Sequence, residues 1–447
     1  MRITPVLLAA GQGTRMKSDL PKVLHPILGK PLAWYALQAA QAVSSTRPVV
    51  VIGHGAEQVR ATLGAEIDYV VQPERLGTGH AVQQTAALLA GQTDLVLVTY
   101  ADMPLLRVET LQRLVEAQLH NPGVLSMLTN ISADPRGFGR VVRDQNGQIQ
   151  AIVEEVDATP AQLAIRELNT GVYCFAADWL WQAIPRIQLS SKGEYFLTDL
   201  ASIARQDGHD IQAVTIEDDE EIIGINTRVH LAEASQVMQR RINQSWMLAG
   251  VTLVDPAATY IEPGVVIGPD TTIWPNTHLQ GSTRIGKGCS IGPNTIVQDT
   301  QVGDRCKVLS SVLEQAHLEI GVEIGPFGHL RKGAHLAEGV HMGNFGEVKN
   351  SYLGPGTKMG HFSYLGDATI GANVNIGAGT ITCNYDGKNK NPTEIGDDVF
   401  IGSDTMLVAP VTLGKGARTG AGSVVTKDVS PDTLVVGVPA RPIRKLE

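Results

Sequence analysis

Residues 261–297 read IEPGVVIGPDTTIWPNTHLQGSTRIGKGCSIGPNTIV, and their spacing sets the architecture of the second half of the chain. An aliphatic residue returns at every sixth position from Ile261 to Val297, and glycine often follows it. An α-helix repeats apolar residues at about 3.6 positions and a half-buried strand at about 2, so neither explains this period. The pattern predicts short strands joined by tight corners, with one aliphatic side chain per strand pointing inward. Because one such coil cannot bury its own core, the coils must stack.

The same spacing continues towards the C-terminus, with two interruptions. The first runs from Gln298 to about Glu319, and the second runs from Cys383 to Glu394. Insertions in a solenoid project as loops from one face, which is often the binding face. We therefore expect a loop outside the coils at each interruption. The later inward positions are Ile324, Leu330, Leu336, Met342, Val348, Leu353, Met359, Leu365, Ile370, Ile376, Ile395, Ile401, Leu407 and Leu413.

The overall composition is typical of a globular protein with more than one domain. The chain has 447 residues, too many for one ordinary hydrophobic core. Its net charge of −9 argues against a nucleic-acid-binding surface but leaves room for local basic pockets. No apolar run reaches the length of a membrane span, and the N-terminus lacks a signal pattern. The four widely spaced cysteines are typical of reduced thiols, so we expect a cytoplasmic protein.

The first half alternates apolar strands with helical segments, whereas 30 of the 47 glycines lie from residue 250 onwards. Strand–helix alternation predicts a largely parallel sheet covered on both faces, with ligands bound beyond the carboxyl ends of the strands. The predicted strands are Ile3–Ala10, Pro48–Gly53, Ile67–Gln72, Leu95–Tyr100, Val124–Thr129, Gly171–Phe175 and Ile211–Ile216. The predicted helices lie around Leu32–Val43, Glu57–Leu63, Thr78–Leu89 and Val108–Leu119.

A single helix is expected to join the two halves. Residues Thr227–Leu248 contain neither glycine nor proline, and apolar residues recur there at helical spacing. The sequence thus predicts a first domain at residues 1–226, a linker helix at residues 227–249 and a second domain at residues 250–447.

A glycine-rich turn follows the first strand, in the sequence Leu8-Ala9-Ala10-Gly11-Gln12-Gly13-Thr14-Arg15-Met16. Backbone N–H groups of such a turn can approach a phosphate, and Arg15 can add charge-assisted contacts. The turn matches neither a dinucleotide fingerprint nor a Walker A loop, and a structural β-turn is the alternative. Lys22 follows the extended pair Leu20-Pro21 and can neutralise phosphate charge, unless it is a solvated surface lysine.

Polar residues also stand at the carboxyl ends of later strands. Gln72 and the pair Gly77-Thr78 supply amide and hydroxyl groups after the third predicted strand. Asp102 closely follows the apolar strand Leu95–Tyr100. A lone acid there is a candidate magnesium ligand, because Mg²⁺ takes few protein oxygens and keeps its waters and substrate phosphates. The alternative role for Asp102 is to cap the following helix.

The turn Leu8–Met16 with Leu20-Pro21-Lys22 resembles the signature of sugar-1-phosphate nucleotidyltransferases. The chain as a whole is similar to the bacterial bifunctional N-acetylglucosamine-1-phosphate uridyltransferases/glucosamine-1-phosphate acetyltransferases, essentially end to end. This resemblance implies an α/β Rossmann-like nucleotidyltransferase domain followed by a left-handed parallel β-helix. It also implies UTP and acetyl-CoA as co-substrates, Mg²⁺ as the metal, and a homotrimer that binds no nucleic acid and spans no membrane.

The resemblance implies roles for the residues of the first site. Those that would hold the nucleotide and its uracil and ribose are Leu8, Ala9, Ala10, Gly11, Gly13, Gln72, Gly77, Thr78, Tyr100 and Ala101. Those that would contact the phosphates are Arg15 and Lys22, and those that would read the N-acetylglucosamine are Gly137, Glu154 and Asn169. Those that would bind Mg²⁺ are Asp102 and Asn226. One departure is Ala101, where the family usually has glycine, and we expect at most a slight shift of the loop.

His361, in Met359-Gly360-His361-Phe362, is the candidate base for acetyl transfer. The sugar amine must be neutral to react, and a histidine that titrates near the working pH can take its proton. One histidine among 12 is more often structural, so the family motif is what singles out His361. Glu347 is the expected partner that fixes the tautomer of its imidazole.

The resemblance assigns the remaining residues of the second site to two ligands. Those that would bind glucosamine 1-phosphate are Arg331, Lys349, Tyr364 and Asn375. Those that would line an acetyl-CoA groove between neighbouring columns are Ala378, Asn384, Tyr385, Ser403 and Ala421. The inserted loop at residues 384–387 would reach another subunit. A family arginine that meets the coenzyme aligns near Gly437 or Val438, so Arg441 is the expected replacement.

Three hypotheses follow for the function of the chain. The first is a bifunctional enzyme that acetylates glucosamine 1-phosphate and then uridylates the product to UDP-N-acetylglucosamine. The second is a nucleotidyltransferase whose β-helix only oligomerises or binds a regulator. The third is a non-catalytic scaffold. The basic and aromatic residues near His361 favour the first hypothesis over the second, and Arg15, Lys22 and Asp102 disfavour the third.

Overall fold

The computed structural model describes residues 1–445, which form two compact units. The first unit is Met1–Met238, and the second begins at Gln239. The helix Arg228–Leu248 contains this division, so its first half belongs to one unit and its second half to the other. Among the described residues, none of the helices combines the length and the apolar character needed to cross a membrane.

The first unit is organised around one large sheet. Its strands are β1 Ile3–Ala9, β2 Pro26–Ile27, β3 Lys30–Pro31, β4 Val49–Ile52, β5 Asp68–Val71, β6 Leu95–Tyr100, β7 Leu125–Ile131, β8 Gly139–Arg143, β9 Ile149–Val153, β10 Glu167–Ala176 and β11 Ile211–Ile216. The sheet has the order β11-β7-β10-β6-β1-β4-β5, β8 joins β9 to the side of β10, and β2 and β3 pair separately. Strand β4 reads Val-Val-Val-Ile and is buried throughout, as β-branched residues in a central strand should be.

The sheet is largely parallel and covered on both faces, which confirms the prediction. Strand β1 runs parallel to β4 and β6, and β7 runs parallel to β11, whereas β10 runs antiparallel to β6 and β7. Alternate residues of β1 point to opposite faces. Val6 and Leu8 pack in one hydrophobic cluster, and Leu7 and Ala9 pack in another.

The helices include all the predicted segments, with one exception, and three between residues 160 and 206 that were not predicted. They are α1 Leu32–Ala42, α2 Ala56–Leu63, α3 Thr78–Gln83, α4 Ala86–Leu89, α5 Val108–His120, α6 Pro160–Leu163, α7 Ala177–Ala183, α8 Asp199–Gln206 and α9 Arg228–Leu248. The exception is Thr78–Leu89, predicted as one helix and found as two. The Thr85 hydroxyl donates to the Val82 carbonyl oxygen at 2.8 Å at the break, which offers the backbone an alternative to the helical ladder.

The second unit is a left-handed parallel β-helix. Its stacked short strands confirm what the six-residue period predicts, its left-handedness agrees with the family resemblance, and the strands form three flat faces. The first face consists of Thr252–Leu253, Thr272–Ile273, Ser290–Ile291, Lys307–Val308, Glu323–Ile324, His341–Met342, Lys358–Met359, Asn375–Ile376, Phe400–Ile401, Arg418–Thr419, Thr433–Val436 and Arg441–Lys445. The second face consists of Thr259–Ile261, Thr277–Gln280, Thr295–Gln298, Val312–Glu314, His329–Leu330, Gly346–Lys349, Ser363–Gly366, Ile381–Cys383, Met406–Val408 and Val424–Val425. The third face consists of Val266–Ile267, Arg284–Ile285, Gln301–Val302, His317–Leu318, His335–Leu336, Tyr352–Leu353, Ala368–Ile370, Thr393–Ile395 and Val411–Leu413.

The core and the corners of this column follow the predicted pattern. The aliphatic residue of each rung, such as Ile273 or Leu279, is fully buried in one continuous cluster. Corner residues adopt the left-handed conformation, with φ of 56° at Asn276 and 51° at Asn294. Asparagine tolerates that conformation better than most residues do, because its short side chain bonds locally.

The first interruption in the spacing is not a loop, so that prediction was wrong. The coils continue through it, and the inward residues are Val302, Val308, Leu313 and Leu318. These residues lie five or six positions apart because some corners here are one residue shorter. The second interruption does leave the coil, between Cys383 and Thr393, and contains an antiparallel bridge from Tyr385 to Lys390.

Candidate active sites

A cleft of about 1000 Å³ opens beyond the carboxyl ends of β1 and β6 in the first unit. It brings together most of the residues assigned to the nucleotide and sugar from the sequence. Those lining it are Leu8, Ala9, Ala10, Gly11, Lys22, Gln72, Gly77, Thr78, Tyr100, Asp102, Gly137, Glu154, Asn169 and Asn226. Backbone from several strand ends and loops therefore converges on one cavity.

Three of the predicted residues, Gly13, Arg15 and Ala101, do not line this cleft. Gly13 has φ of 66°, and a Cβ there would lie 2.5 Å from Cβ of Lys22, so glycine is needed for Lys22 to approach. Arg15 is exposed in the short turn Thr14–Met16. Ala101 is fully buried, and its N–H donates to the Leu8 carbonyl oxygen at 3.1 Å.

Lys22, Asp102 and Asn226 meet at one edge of the cleft. The Lys22 ammonium donates to Oδ2 of Asp102 and, at 3.2 Å, to Oδ1 of Asn226. The Ile225 N–H donates to the Asp102 carbonyl oxygen at 3.0 Å, which holds Asn226 beside the aspartate although 124 residues separate them. A cation thus lies between one carboxylate and one amide oxygen. This donor set fits Mg²⁺, which prefers oxygen ligands.

The floor of the cleft requires a glycine at residue 171. Gly171 has φ of 81°, and a Cβ there would lie 2.6 Å from a ring carbon of Tyr100. Beside it, the Asn169 amide donates to the Tyr173 hydroxyl at 2.7 Å, and the Gly171 N–H donates to Oδ1 of Asn169 at 3.2 Å. These contacts fix the orientation of the Asn169 side chain.

Glu154 lies opposite, in a partly desolvated environment. Burial raises the pKa of Glu154, and the Thr198 hydroxyl, which donates to its Oε1 at 3.1 Å, partly opposes that shift. Burial also raises the pKa of Tyr100, and the carboxylates of Glu154 and Asp102 add to the effect. The carboxylate is thus held by a hydroxyl and points into the cavity.

Thr198 belongs to a wall of the cleft that the sequence analysis missed. The wall includes Glu194, Phe196, Leu197 and Thr198. The Leu197 N–H donates to the Thr78 hydroxyl at 3.0 Å, and the Tyr195 N–H donates to the Leu76 carbonyl oxygen at 2.7 Å. The residues here carry no motif, so the sequence offered no signal. Arg75, also missed, follows Gln72 closely enough that the strand-end argument could have included it.

A second cluster of polar residues lies on the second face of the column. Nη1 of Arg331 donates to Oε1 of Glu347 at 2.9 Å, and Glu347 pairs in register with Tyr364 on the next coil. Glu347 was expected to orient His361, but the contact that the structure gives to its carboxylate is with Arg331. The strand register explains this, because Arg331 and Glu347 lie on neighbouring rungs of the same face, whereas His361 lies in a corner.

Basic groups gather beside this cluster. Lys390, from the loop at residues 384–391, lies against Lys349, and this contact lowers the pKa of Lys349, with Arg331 adding to the effect. Asp367 opposes the shift. Three cationic side chains therefore face one small region, which is a favourable place for a phosphate. Lys390 was not predicted, because it lies in a loop that interrupts the six-residue repeat.

His361 lies in the corner between the first and second faces. Four of the predicted residues stack on one another in successive turns along this corner. The Asp404 N–H donates to the Ala378 carbonyl oxygen at 2.6 Å, and the Gly422 N–H donates to the Ser403 carbonyl oxygen at 2.8 Å. These bonds stack successive corners. The predicted residues that share this edge are His361, Ala378, Ser403 and Ala421.

The remaining predicted residues of the second site are more scattered. Asn375 lies on the first face, away from Tyr364 on the second. Asn384 is buried, and its amide donates to Oδ2 of Asp367 at 2.6 Å. Tyr385 is 62% exposed in the loop, where it bridges to Lys390. Arg441 begins the last strand and is exposed.

Comparisons with known proteins agree for both units. Residues 5–203 match the MobA-like NTP transferase domain, and residues 264–299 and 392–427 match the bacterial transferase hexapeptide (six repeats). The chain is 46% identical over 432 residues to the bifunctional protein GlmU of Exiguobacterium sibiricum, covering 96% of each chain. It is 48% identical over 434 residues to that of Heliobacterium modesticaldum, covering 97% of this chain and 95% of the relative. A solved UDP-glucose pyrophosphorylase complexed with UDP-glucose aligns at a TM-score of 0.46 with 19% identity, covering 54% of this chain and all of that one.

Proposed function

The chain belongs to the family of the bifunctional GlmU proteins, and we propose that the cleft and the column carry its two reactions with the residues named below. It is a bifunctional enzyme of UDP-N-acetylglucosamine biosynthesis. One reaction acetylates glucosamine 1-phosphate with acetyl-CoA. The other transfers UMP from UTP to N-acetylglucosamine 1-phosphate and releases pyrophosphate. We assign uridyl transfer to residues 1–226, acetyl transfer to residues 250–447 and the connection to the helix at residues 227–249, and we infer a cytoplasmic enzyme.

Uridyl transfer in the cleft needs positioning more than covalent chemistry. The sugar phosphate is already an anion, so it can attack the α-phosphorus of UTP without a general base. The P–O bond to pyrophosphate breaks as the new P–O bond forms. Lys22 neutralises charge on the transferred phosphoryl group, and Arg15 adds a second positive charge from its exposed side chain. Gln72, Gly77 and Thr78 hold the nucleotide against β1.

Mg²⁺ is assigned to the edge where Lys22 meets Asp102 and Asn226. The aspartate carboxylate and the asparagine amide oxygen supply the two protein ligands. When bound to these two residues, Mg²⁺ would supply positive charge that offsets the charge of the substrate phosphates. Lys22 lies close enough to exchange its contact with Asp102 for one with a phosphate oxygen.

The opposite side of the cleft is assigned to N-acetylglucosamine. Glu154 accepts from sugar hydroxyls, because its carboxylate points into the cavity and Thr198 occupies only one of its acceptor positions. Asn169 is held rigidly by Tyr173 and by the Gly171 N–H, which suits a residue that must recognise one geometry. Gly137 leaves open space where a side chain would project.

Acetyl transfer is assigned to the corner at His361 and the basic cluster beside it. The amine nitrogen bonds to the acetyl carbon as His361 takes a proton from it, the carbon–sulphur bond of acetyl-CoA breaks, and CoA leaves as a thiolate that takes up that proton to become the thiol. Arg331, Lys349 and Lys390 hold the phosphate of the substrate. Arg331 is itself held by Glu347, so Glu347 acts here as a positioning residue for the phosphate site.

A homotrimer accounts for the scattered placement of the second site. Asn375 and Tyr364 are both assigned to the sugar, yet they lie on different faces of one column. Two neighbouring columns can bring a first face and a second face together, with the acetyl-CoA groove along the edge of Ala378, Ser403 and Ala421. The exposed Tyr385 and Arg441 then contact the coenzyme from the rim.

The convergence of fourteen sequence-predicted residues on one cleft carries the proposal for the first site. A single omission assay tests both sites. Purified full-length protein receives glucosamine 1-phosphate, acetyl-CoA, UTP and Mg²⁺, and free CoA and pyrophosphate are measured as each component is left out. We expect CoA release to need only the amino sugar and acetyl-CoA, whereas pyrophosphate needs all four. CoA release that ignores glucosamine 1-phosphate would instead favour a nucleotidyltransferase with a structural β-helix.

A further inference from the structure

We propose that His317, Glu319 and His335 bind one divalent ion of a late first-row transition metal, with Zn²⁺ as the example. The three residues lie on the third face of the column and at its adjoining corner, on two consecutive coils. None of the three belongs to the cleft or to the second-face cluster, so neither transfer reaction is assigned to them. The site lies at the C-terminal end of the stretch of shortened coils that begins at Gln298.

The backbone places the three ligand atoms together. His317 and Glu319 are two residues apart on one strand and its continuation, so their side chains leave the column on the same side, while Leu318 points inward. His335 pairs directly with His317 in the parallel register of the next coil. One nitrogen from each histidine and one carboxylate oxygen all lie within 4.8 Å of one another.

The contacts among these side chains show that they already share one small volume. The two imidazole rings are 4.5 Å apart between centroids, and their planes differ by 63°. Nε2 of His335 lies 2.8 Å from Oε1 of Glu319. Zinc binds imidazole nitrogens and carboxylate oxygens at about 2.0–2.2 Å, so the ligands need to close by roughly 1 Å around an ion. Rotation of exposed side chains provides that movement.

Neighbouring groups hold two of the ligands in place. The Glu338 N–H donates to Oε2 of Glu319 at 3.1 Å, which leaves Oε1 for the ion. The Tyr352 ring packs edge-on against His335 at 5.1 Å and restricts the imidazole. Groups that orient a ligand in this way tune metal affinity. A recess of about 540 Å³, lined among others by His317, Glu319 and Glu338, leaves room for water as a fourth ligand.

The donor set selects the class of cation. Two imidazole nitrogens and one carboxylate oxygen suit Zn²⁺, Ni²⁺ or Co²⁺, whereas Mg²⁺ and Ca²⁺ prefer oxygen donors alone. This distinguishes the site from the Asp102 and Asn226 pair. An ion held here adds a link between two coils that already meet through backbone hydrogen bonds, core packing and the contact of His335 with Glu319. Binding to the folded chain therefore stabilises the column by mass action.

The test compares three full-length variants with the wild-type protein. Zn²⁺ is titrated by calorimetry into Mg²⁺-free protein, and the melting temperature is followed in parallel. His317→Ala and His335→Ala each remove one nitrogen ligand. His341→Ala is the matched control, because His341 also faces a carboxylate, Glu323, with 3.4 Å between Nδ1 and Oε2, but belongs to no such triad of ligands among the described residues.

We expect one site per chain that loses at least ten-fold in affinity in both ligand variants and is unchanged in the control. The Zn²⁺-dependent rise in melting temperature should disappear in the same two variants. All three histidines are exposed or half-exposed, so the variants should fold. Co²⁺ in place of Zn²⁺ should give visible absorption bands typical of nitrogen ligation in wild-type and control protein alone. Equal affinity in His335→Ala and His341→Ala would overturn the proposal, as would a wild-type protein that binds no Zn²⁺.

Discussion

The first unit gathers its proposed site within one chain, whereas the second spreads its proposed site over two faces and a corner. In the first, the carboxyl ends of neighbouring strands meet at one sheet edge, and loops close around a cavity. In the second, every side chain that is not in the core points outward from a convex column. A solenoid of this kind supplies one wall of a pocket, so a second wall must come from another copy. The difference predicts that the two activities respond differently to mutation and to mixing of subunits.

The largest effect is expected from Lys22→Ala. Loss of the ammonium removes positive charge from the transferred phosphoryl group, and cations in comparable positions contribute about 10³-fold or more to phosphoryl transfer. We expect uridyl transfer to fall by about 10⁴-fold while acetyl transfer continues at the wild-type rate, measured as pyrophosphate and CoA release.

Lys17→Ala is the control for that substitution, because Lys17 is exposed and lies outside the cleft. It should leave both rates unchanged. Near-wild-type uridyl transfer in Lys22→Ala would remove Lys22 from the mechanism, and a parallel loss of acetyl transfer would show that the two units do not act separately.

His361→Ala should have the opposite effect, so that acetyl transfer is lost and uridyl transfer is kept. A positioned general base contributes roughly 10²–10⁴-fold, and we expect acetyl transfer to fall by about 10³-fold with uridyl transfer intact. His329→Ala is the control, since His329 is half-exposed on the second face and its Nε2 lies 3.3 Å from Oε2 of Glu314. If the His329 variant lost as much acetyl transfer as the His361 variant, the assignment of the base would be wrong.

Mixed oligomers test whether the second site is shared between subunits. Lys349→Ala alters the second face and Asn375→Ala alters the first, so each variant alone should be nearly inactive in acetyl transfer. If each site in a cyclic trimer uses one face from each neighbour, random co-assembly restores about one quarter of the sites. We expect about one quarter of the wild-type acetyl transfer after co-expression. Activity no higher than the mean of the two variants would place all residues of the site within one chain.

The smallest effect is expected from Glu154→Gln. The amide keeps an acceptor for the Thr198 hydroxyl but weakens the charge-assisted bond to the sugar, so KM for N-acetylglucosamine 1-phosphate should rise roughly ten-fold with kcat less affected. Burial raises the pKa of Glu154 in the folded chain above its value in the unfolded chain. Glu154 therefore contributes stability at pH values below its unfolded pKa, and this contribution is lost as pH rises through the raised pKa. At neutral pH the substitution should therefore increase the free energy of unfolding, by at most about 1 kcal/mol. A lower free energy of unfolding would contradict the desolvation argument.

The sequence predicted the fold well where a physical period repeats. The buried position of each rung, such as Ile273 or Leu407, follows from one inward side chain per strand. The strict count of six failed between Gln298 and Glu319, because corners there drop a residue while the inward residues stay buried. The β8–β9 hairpin was also missed, although Asn146-Gly147 in its turn is a recognised hairpin signal.

The candidate sites were predictable to the extent that motifs mark them. Strand-end reasoning alone pointed to Asp102, but only the family resemblance linked it to Asn226, which lies far away in sequence. Thr198 and Lys390 reach their sites through loops that follow no period, so no pattern in the sequence places them there. The contact of Arg331 with Glu347 runs diagonally between rungs on which Leu330 pairs with Val348, and the spacing of inward residues does not predict which outward side chains bond.

The most direct test of separate sites is to mix two purified full-length variants, Lys22→Ala and His361→Ala, in one vessel. The substrates are glucosamine 1-phosphate, acetyl-CoA, UTP and Mg²⁺, and the product measured is UDP-N-acetylglucosamine. The first variant should acetylate the amino sugar and the second should uridylate the released product, so the mixture should make UDP-N-acetylglucosamine although neither variant does so alone. A mixture of folded variants that makes no more product than either one separately would contradict the account.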